Sequence, residues 1–327
     1  MTQIFIITFV FTIFLSWILL RVFPKLGFLD RPAKYGLTRS PIPYPGGVAI
    51  YFAFLFVFVF FLPHDSKMLA LFSAATFLAV VCFIDDRIGL SPIFRLLVHL
   101  FCGLFLVWGG IGISSISNPF GGSISLGILA TTFTVLWVMV MINSFNWVDG
   151  VPGMVSSISF VSALILFLLS NRAGFHYLDQ SLAINLSLLI MAVSLGFFIF
   201  DFPPPRMIMG DTGSMLLGLL IAVTAIISGG KIATTILVLS FPILDFVWVI
   251  LRRFYKKQSP FRGDLTHFHH KLLKAGLSER KVILFYSACG LLFGFTALLL
   301  HTEGKIITFG LVFALMVVLA ILLYRKK

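Results

Sequence analysis

Apolar runs of about twenty residues recur from one end of the chain to the other, and this recurrence restricts the fold more than any other feature. A helix rises about 1.5 Å per residue, so roughly twenty apolar residues cover the hydrocarbon core of a bilayer. Runs of that kind fall near 3–22, 46–63, 68–85, 93–112, 126–143, 153–170, 181–200, 213–229, 232–251, 281–300 and 306–324, eleven in all. Gly229, Gly230 and Lys231 suit a tight turn between the eighth and ninth. Charged residues make up 11% of the chain, against about a quarter in soluble domains, and the mean hydropathy is +1.08. That leaves too little polar surface to cover a water-soluble globule. The expected fold class is therefore all-α, a polytopic transmembrane helix bundle of about eleven spans. Without an internal repeat or a low-complexity linker, it reads as one integral-membrane domain over 1–327, with two larger loops at 23–45 and 252–280.

Basic residues set the expected sidedness. Assigned to alternate sides of eleven spans, 20 of the 24 Lys and Arg fall on one side; only Lys67, Arg172, Lys231 and Lys305 fall on the other. The positive-inside rule then puts the N-terminus outside and the C-terminus in the cytoplasm. The first run lacks basic residues ahead of it, so a spanning helix is expected there rather than a cleaved leader. The net charge of +12 is explained by this asymmetry and calls for no nucleic acid partner. Cys82, Cys102 and Cys289 each sit inside an apolar run, as small core residues do.

Only twelve residues are acidic, so their placement is informative. Asp65, Asp179 and Glu303 fall on the outer side, and Asp245 lies inside the ninth run. The other eight, from Asp30 to Glu279, occupy inner loops or the inner ends of spans. A transporter more often places ionisable groups at mid-membrane, on broken helices. Convergence on one face suits an enzyme with one water-soluble substrate and one membrane substrate. A transporter of an anionic metabolite is the competing reading.

Four clusters carry the polar chemistry. Asp85 and Asp86 close the third run; adjacent helical positions differ by about 100°, so the two carboxylates diverge on a regular helix. Asn143 and Asn146 share a helix face ahead of Asp149, where Gly150 and Gly153 let the backbone approach a ligand. Asp211, between Gly210 and Gly213, opens the eighth run. It reads either as a helix cap or as a magnesium ligand, beside helix-terminal N–H groups open to phosphate. His267, His269 and His270 follow Arg262 and Asp264; with no matching Cys for zinc, they suit phosphate, with Arg262 as a bidentate partner and His267 and His270 on one face if helical.

In this order the clusters resemble the polyprenyl-phosphate N-acetylhexosamine-1-phosphate transferase family, whose best-known branch is phospho-N-acetylmuramoyl-pentapeptide transferase. Gly27-Phe28-Leu29-Asp30-Arg31-Pro32 and Pro41-Ile42-Pro43 agree as well. The spacing from Ser259 and Pro260 to the histidines is more similar to the branch that uses UDP-N-acetylglucosamine. The resemblance implies transfer of a sugar 1-phosphate from a UDP-N-acetylhexosamine to polyprenyl (undecaprenyl) phosphate. UMP is released, as the first lipid-linked step of cell-envelope glycan synthesis. It implies Asp85 and Asp86 as the catalytic pair, and Asn143, Asn146, Asp149, Arg262, Asp264, His267, His269 and His270 as substrate contacts. Asp211 with Asp149 would hold Mg²⁺, with Mn²⁺ as a substitute. It further implies a multi-pass protein of a bacterial or archaeal inner membrane with a cytoplasmic site, and it admits a homodimer. The chain departs from the pattern at Pro152, where relatives carry a second Asp, and at Asp201, where they often carry Asn.

The chemistry bears on the aspartate pair. A phosphate monoester with a second pKa of about 6 is already mostly dianionic at neutral pH, so attack needs no strong base. The obstacle is the mutual repulsion of two phosphate-bearing groups, which cationic groups offset. Base and organiser both remain open roles for Asp85 and Asp86.

Overall fold

The computed structural model describes residues 2–32, 39–118, 121–172, 180–229, 231–255, 257 and 267–325. Arg262 and Asp264 lie outside them. Thirteen α-helices run in chain order: α1 Thr2–Lys25, α2 Gly47–Phe61, α3 Ser66–Ile88, α4 Pro92–Trp108, α5 Ala130–Val148, α6 Met154–Ser170, α7 Ser181–Asp201, α8 Gly210–Ile227, α9 Ile232–Val238, α10 Ser240–Tyr255, α11 Phe268–Lys274, α12 Glu279–Leu299 and α13 Thr302–Arg325. Among the described residues the expected all-α fold also carries a small antiparallel hairpin between α4 and α5, β1 Ser115–Ser117 with β2 Ser123–Ser125, in which Ile116 pairs with Ile124.

Every one of the eleven apolar intervals contains a helix. Among the described residues six helical segments are long and apolar enough to cross a membrane, and a seventh if a bent pair is joined. Three more, α2, α4 and α6, are apolar but shorter. The chain is thus a multi-pass membrane protein. Its outer helices present large apolar side chains outward, among them Ile6 and Val10 of α1, Phe101 of α4, Leu292 of α12 and Leu311 of α13. Lipid solvates such a surface, whereas water would drive it to aggregate.

The ninth interval departs from expectation. In place of one span at 232–251, the helix breaks at Leu239 and α10 leaves α9 at 85°. Pro242 sits in the first turn of α10, where it lacks the N–H that would continue the ladder to the Val238 carbonyl, the last of α9. Hydropathy alone runs straight through this point, which is why the break is silent in an apolar count.

Helix α8 is the axis of the bundle. Buried positions make up 89% of its apolar window, against 22% for peripheral α1, and it packs on α2, α3, α5, α6 and α7. A helix apolar on all sides belongs in such a position. Small residues let its neighbours close in. A Cβ on Gly47 of α2 would stand 2.1 Å from the backbone nitrogen of Gly213, and one on Gly218 would stand 2.9 Å from the Met141 carbonyl of α5.

The segment ahead of α2 is tied to the start of α8. The N–H groups of Gly46 and Gly47 donate to the Ile208 and Met209 carbonyls at 2.7 and 2.8 Å, and Ile208 N–H donates to the Pro43 carbonyl at 3.1 Å. Asp30 holds the same loop, accepting from the Ile42 N–H and pairing with Arg39 at 2.5 Å. Tyr44 is thereby delivered to the N-terminus of α8. Because a backbone atom meets the added carbon at Gly47, no side-chain rotation relieves a substitution there. Gly47→Ala is expected to destabilise the bundle by about 1–3 kcal/mol. Thermal unfolding in detergent checks this, with Gly310→Ala, which meets nothing within 4 Å, as the unchanged control.

Candidate active site

The first turn of α8 organises the site. Met209, its N-cap, supplies no side-chain acceptor, so the leading N–H groups need one from elsewhere. Asp86 of α3 provides it. Its Oδ1 accepts from the Asp211 N–H at 2.9 Å, and its Oδ2 from the Thr212 N–H at 3.1 Å and the Thr212 hydroxyl at 2.6 Å. The Tyr44 hydroxyl also donates to Asp86. Burial, then the charges of Asp86 and Asp211, holds the Tyr44 phenol protonated, well above its ordinary range. The N–H groups that the sequence offered to phosphate are therefore occupied by a carboxylate of the chain itself, and Asp211 does not cap its own helix.

Asp85 diverges from its neighbour, as the helical period requires. It is buried, accepts from the Leu90 N–H at 2.5 Å, and meets Arg95 of α4 through both oxygens, at 2.6 Å from Nε and 2.9 Å from Nη2. Arg95 also reaches Asp211, whose Oδ2 accepts from Nη1 at 3.0 Å. One guanidinium thus joins the ends of α3, α4 and α8, a task matched to its planar fork of donors. The start of α4 is fixed for this by Ser91, whose side chain accepts from the Phe94 N–H, and by Pro92 in the first turn. In the sequence Arg95 is one of the twenty basic residues of the inner side; what distinguishes it is its place in the first turn of an apolar helix, ten residues after Asp85.

From α5, Asn146 donates to Asp211 Oδ1 at 2.7 Å. Asn143 is turned to a different partner: its Nδ2 donates to the Met139 carbonyl and lies 3.0 Å from His99 Nδ1. Asp149 follows the last turn of α5. Burial first, then the charges of Asp211, Asp201 and Asp86, pushes its carboxyl well above the usual range. Asp201, the last residue of α7, accepts from the Ser156 hydroxyl at 2.9 Å and from the Gly153 backbone, and so steadies the turn after Asp149. Pro152 lies in that turn and Gly153 takes a left-handed φ of +82°.

The imidazoles close the other flank. A Cβ on Gly150 would fall 2.5 Å from His269 Nε2, so the close approach this glycine permits is to a histidine of the chain. His269 is fully buried, and burial, then His270 and His267, lowers its pKa well below the ordinary value, keeping it neutral. His267 and His270 do not share a helical face, because His267 stands just outside the helix, yet their rings lie 6.3 Å apart. His267 precedes α11 as its N-cap, and its ring lies parallel to His269, within 5° and 5.6 Å between centroids. His267 also meets Trp147 edge-on at 5.1 Å. The site therefore gathers Asp85, Asp86, Asn146, Asp149, Asp211 and the three histidines at one end of the bundle, and it adds Tyr44, Arg95 and Thr212.

Four carboxylates, Asp85, Asp86, Asp149 and Asp211, meet here with Arg95 as the guanidinium that bridges two of them. Among the described residues no three His, Cys, Asp or Glu form a ligand set by themselves. Magnesium needs none, because it takes one or two carboxylates and completes its shell with water and substrate phosphates. The hard oxygens of Asp211 and Asp149, in a neighbourhood rich in negative charge, fit that ion.

Residues 68–229 match the profile of Glycosyl transferase family 4, a segment that includes Asp85, Asp86, Asn143, Asn146, Asp149 and Asp211. A probable undecaprenyl-phosphate N-acetylglucosaminyl 1-phosphate transferase of Bacillus subtilis (strain 168) is 28% identical over 326 residues, covering 97% of this chain and 90% of its own. The undecaprenyl-phosphate alpha-N-acetylglucosaminyl 1-phosphate transferase of Escherichia coli (strain K12) is 29% identical over 84% of this chain and 77% of its own. A decaprenyl-phosphate N-acetylglucosaminephosphotransferase of Mycobacterium leprae (strain TN) is 28% identical over 80% and 73%. The matched segment holds the aspartate and asparagine part of the site, the relatives align well beyond it, and over these residues the chain is similar to glycosyl transferase family 4.

Proposed function

We propose that the chain transfers N-acetylglucosamine 1-phosphate, or another N-acetylhexosamine 1-phosphate, from its UDP-activated form to polyprenyl phosphate at the cytoplasmic face of a bacterial inner membrane. The observation that carries the proposal is the Asp85–Arg95–Asp211 bridge, set beside Asn146 and Asp149 at one end of an apolar bundle. A lipid phosphate reaches such a place from the membrane and a nucleotide sugar from water. The names of the three relatives agree with the acceptor and the sugar.

In the reaction an oxygen of the lipid phosphate bonds to the β-phosphorus of the donor. The bond from that phosphorus to the oxygen bridging to the α-phosphorus breaks, and UMP leaves with its electron pair. Hydrogen bonding favours an organising role for the aspartate pair. Asp86 is engaged by four donors that fix the start of α8, and Asp85 by Arg95 and the Leu90 N–H, so neither needs to remove a proton from a nucleophile that is already ionised. Asp211 and Asp149 would hold Mg²⁺, which supplies positive charge to the phosphate oxygens. Arg95 keeps Asp211 aimed, and the histidines, with Arg262 five residues ahead of His267 in the sequence, would hold the phosphates of the donor.

Purified protein in nanodiscs, given UDP-N-acetylglucosamine and undecaprenyl phosphate, is expected to release UMP in step with lipid-linked sugar. EDTA should stop the release and excess Mg²⁺ restore it. Uptake of an anionic metabolite into proteoliposomes with no UMP formed would favour a transporter instead. Asp211→Asn is expected to lower kcat about 100-fold. Arg95→Lys keeps the charge but not the fork, so a loss of about 10-fold or more is expected. Wild-type rates from both variants, each folded by thermal unfolding, would sink the proposed arrangement.

A further inference from the structure

Asp245 has no part in the scheme above, yet its carboxylate is buried against His267. It lies on α10, beyond the 85° break, and is 3% exposed. Both oxygens are engaged by one short segment. Oδ2 lies 2.9 Å from His267 Nδ1, and Oδ1 accepts from the Phe268 N–H at 2.9 Å. A carboxylate accepts and does not donate, so this contact places a proton on Nδ1 and leaves Nε2 as the ring's other face. The same helix fixes what the ring leans on. Phe246 packs on Trp147 at 4.7 Å between centroids, and the Arg253 guanidinium lies 5.3 Å from the same indole, against whose edge His267 rests. Asp245, Val249 and Arg253 are spaced by four and share one face of α10.

We propose that Asp245 is a positioning residue for the transfer, holding His267 in one tautomer and one orientation so that Nε2 faces the substrate phosphates; this rests on the transfer reading above. The break at Leu239 gains a purpose from it. A straight ninth span would carry Asp245 along the bundle axis, whereas the turned α10 presents it to the start of α11. A carboxylate that orients a histidine through the nitrogen remote from the ligand is a common device at phosphate and metal centres. An amide in its place has one acceptor for two donors, so Asn cannot serve both the Phe268 N–H and the His267 Nδ1–H.

The test uses the full chain in nanodiscs with ¹⁵N-labelled histidine, with the His267 signal assigned by its loss in His267→Gln. In the wild type Nδ1 is expected to carry a proton. In Asp245→Asn the proton is expected to move to Nε2, with kcat down about 10- to 100-fold and thermal unfolding little changed. A wild-type Nδ1 without a proton overturns the proposal even if the variant does not fold. So does a wild-type kcat in Asp245→Asn, or a fallen kcat with an unchanged tautomer, which would mark a purely structural carboxylate. A wild type that releases no UMP overturns the transfer reading instead, whatever the spectrum shows.

Discussion

The buried N-terminus of α8 governs the rest of the site. A helix that starts inside a bundle exposes N–H groups that nothing in its own sequence satisfies, and leaving them bare would be costly in an apolar surround. Asp86 satisfies them from another helix, drawing on the favourable meeting of a carboxylate with the positive end of the helix dipole. That contact fixes α3 against α8 and seats Tyr44 between them. Once Asp86 is spent on α8, its neighbour Asp85 must look the other way, and Arg95 meets it there. Asp211, within the capped first turn itself, is then held between Arg95 and Asn146 rather than free to turn.

This arrangement explains how much of the site was legible in the sequence. Asp85, Asp86, Asn146, Asp149 and Asp211 stood out because a chain this apolar has few polar side chains to spare, and each one at a helix end is conspicuous. Each apolar interval holds a helix for the same reason, since in lipid a helix must satisfy its own backbone, whereas the short, polar α11 falls outside them all. Contacts between helices were beyond its reach. Nothing local to Asp86 says that it caps a helix 125 positions on, and nothing local to Arg95 says that it bridges two carboxylates. Asp211 looked equally like a cap because the true cap comes from outside its helix. The break at Leu239 was hidden by continuous hydropathy, although Pro242 marked it.

The two flanks of the site are built by different means. The carboxylate flank rests on helix ends packed through glycine, where Gly47 meets Gly213 and Gly218 meets α5, and its geometry is set by rigid elements. The imidazole flank rests on α10 and the seven-residue α11, and is held by side chains: Asp245 on His267, Trp147 among Phe246, Arg253 and His267, and His269 against Gly150. The family profile takes in the ends of α3, α4, α5 and α8 and stops before α10 and α11. Such a division suits a catalyst that must keep its charge-bearing core fixed while its substrate-facing side accommodates a donor.

Charge completes the logic of that division. Burial first, and then the crowding of the carboxylates on one another, pushes Asp149 toward its neutral form. On the facing side His269 is pushed toward neutrality too, for the opposite reason, because a buried imidazolium beside other imidazoles is unfavourable. Excess negative charge on one wall and withheld positive charge on the other leave the site under-neutralised as it stands. A cation beside Asp149 and Asp211 and phosphates beside the imidazoles would relieve both walls together, so binding of each would strengthen binding of the other.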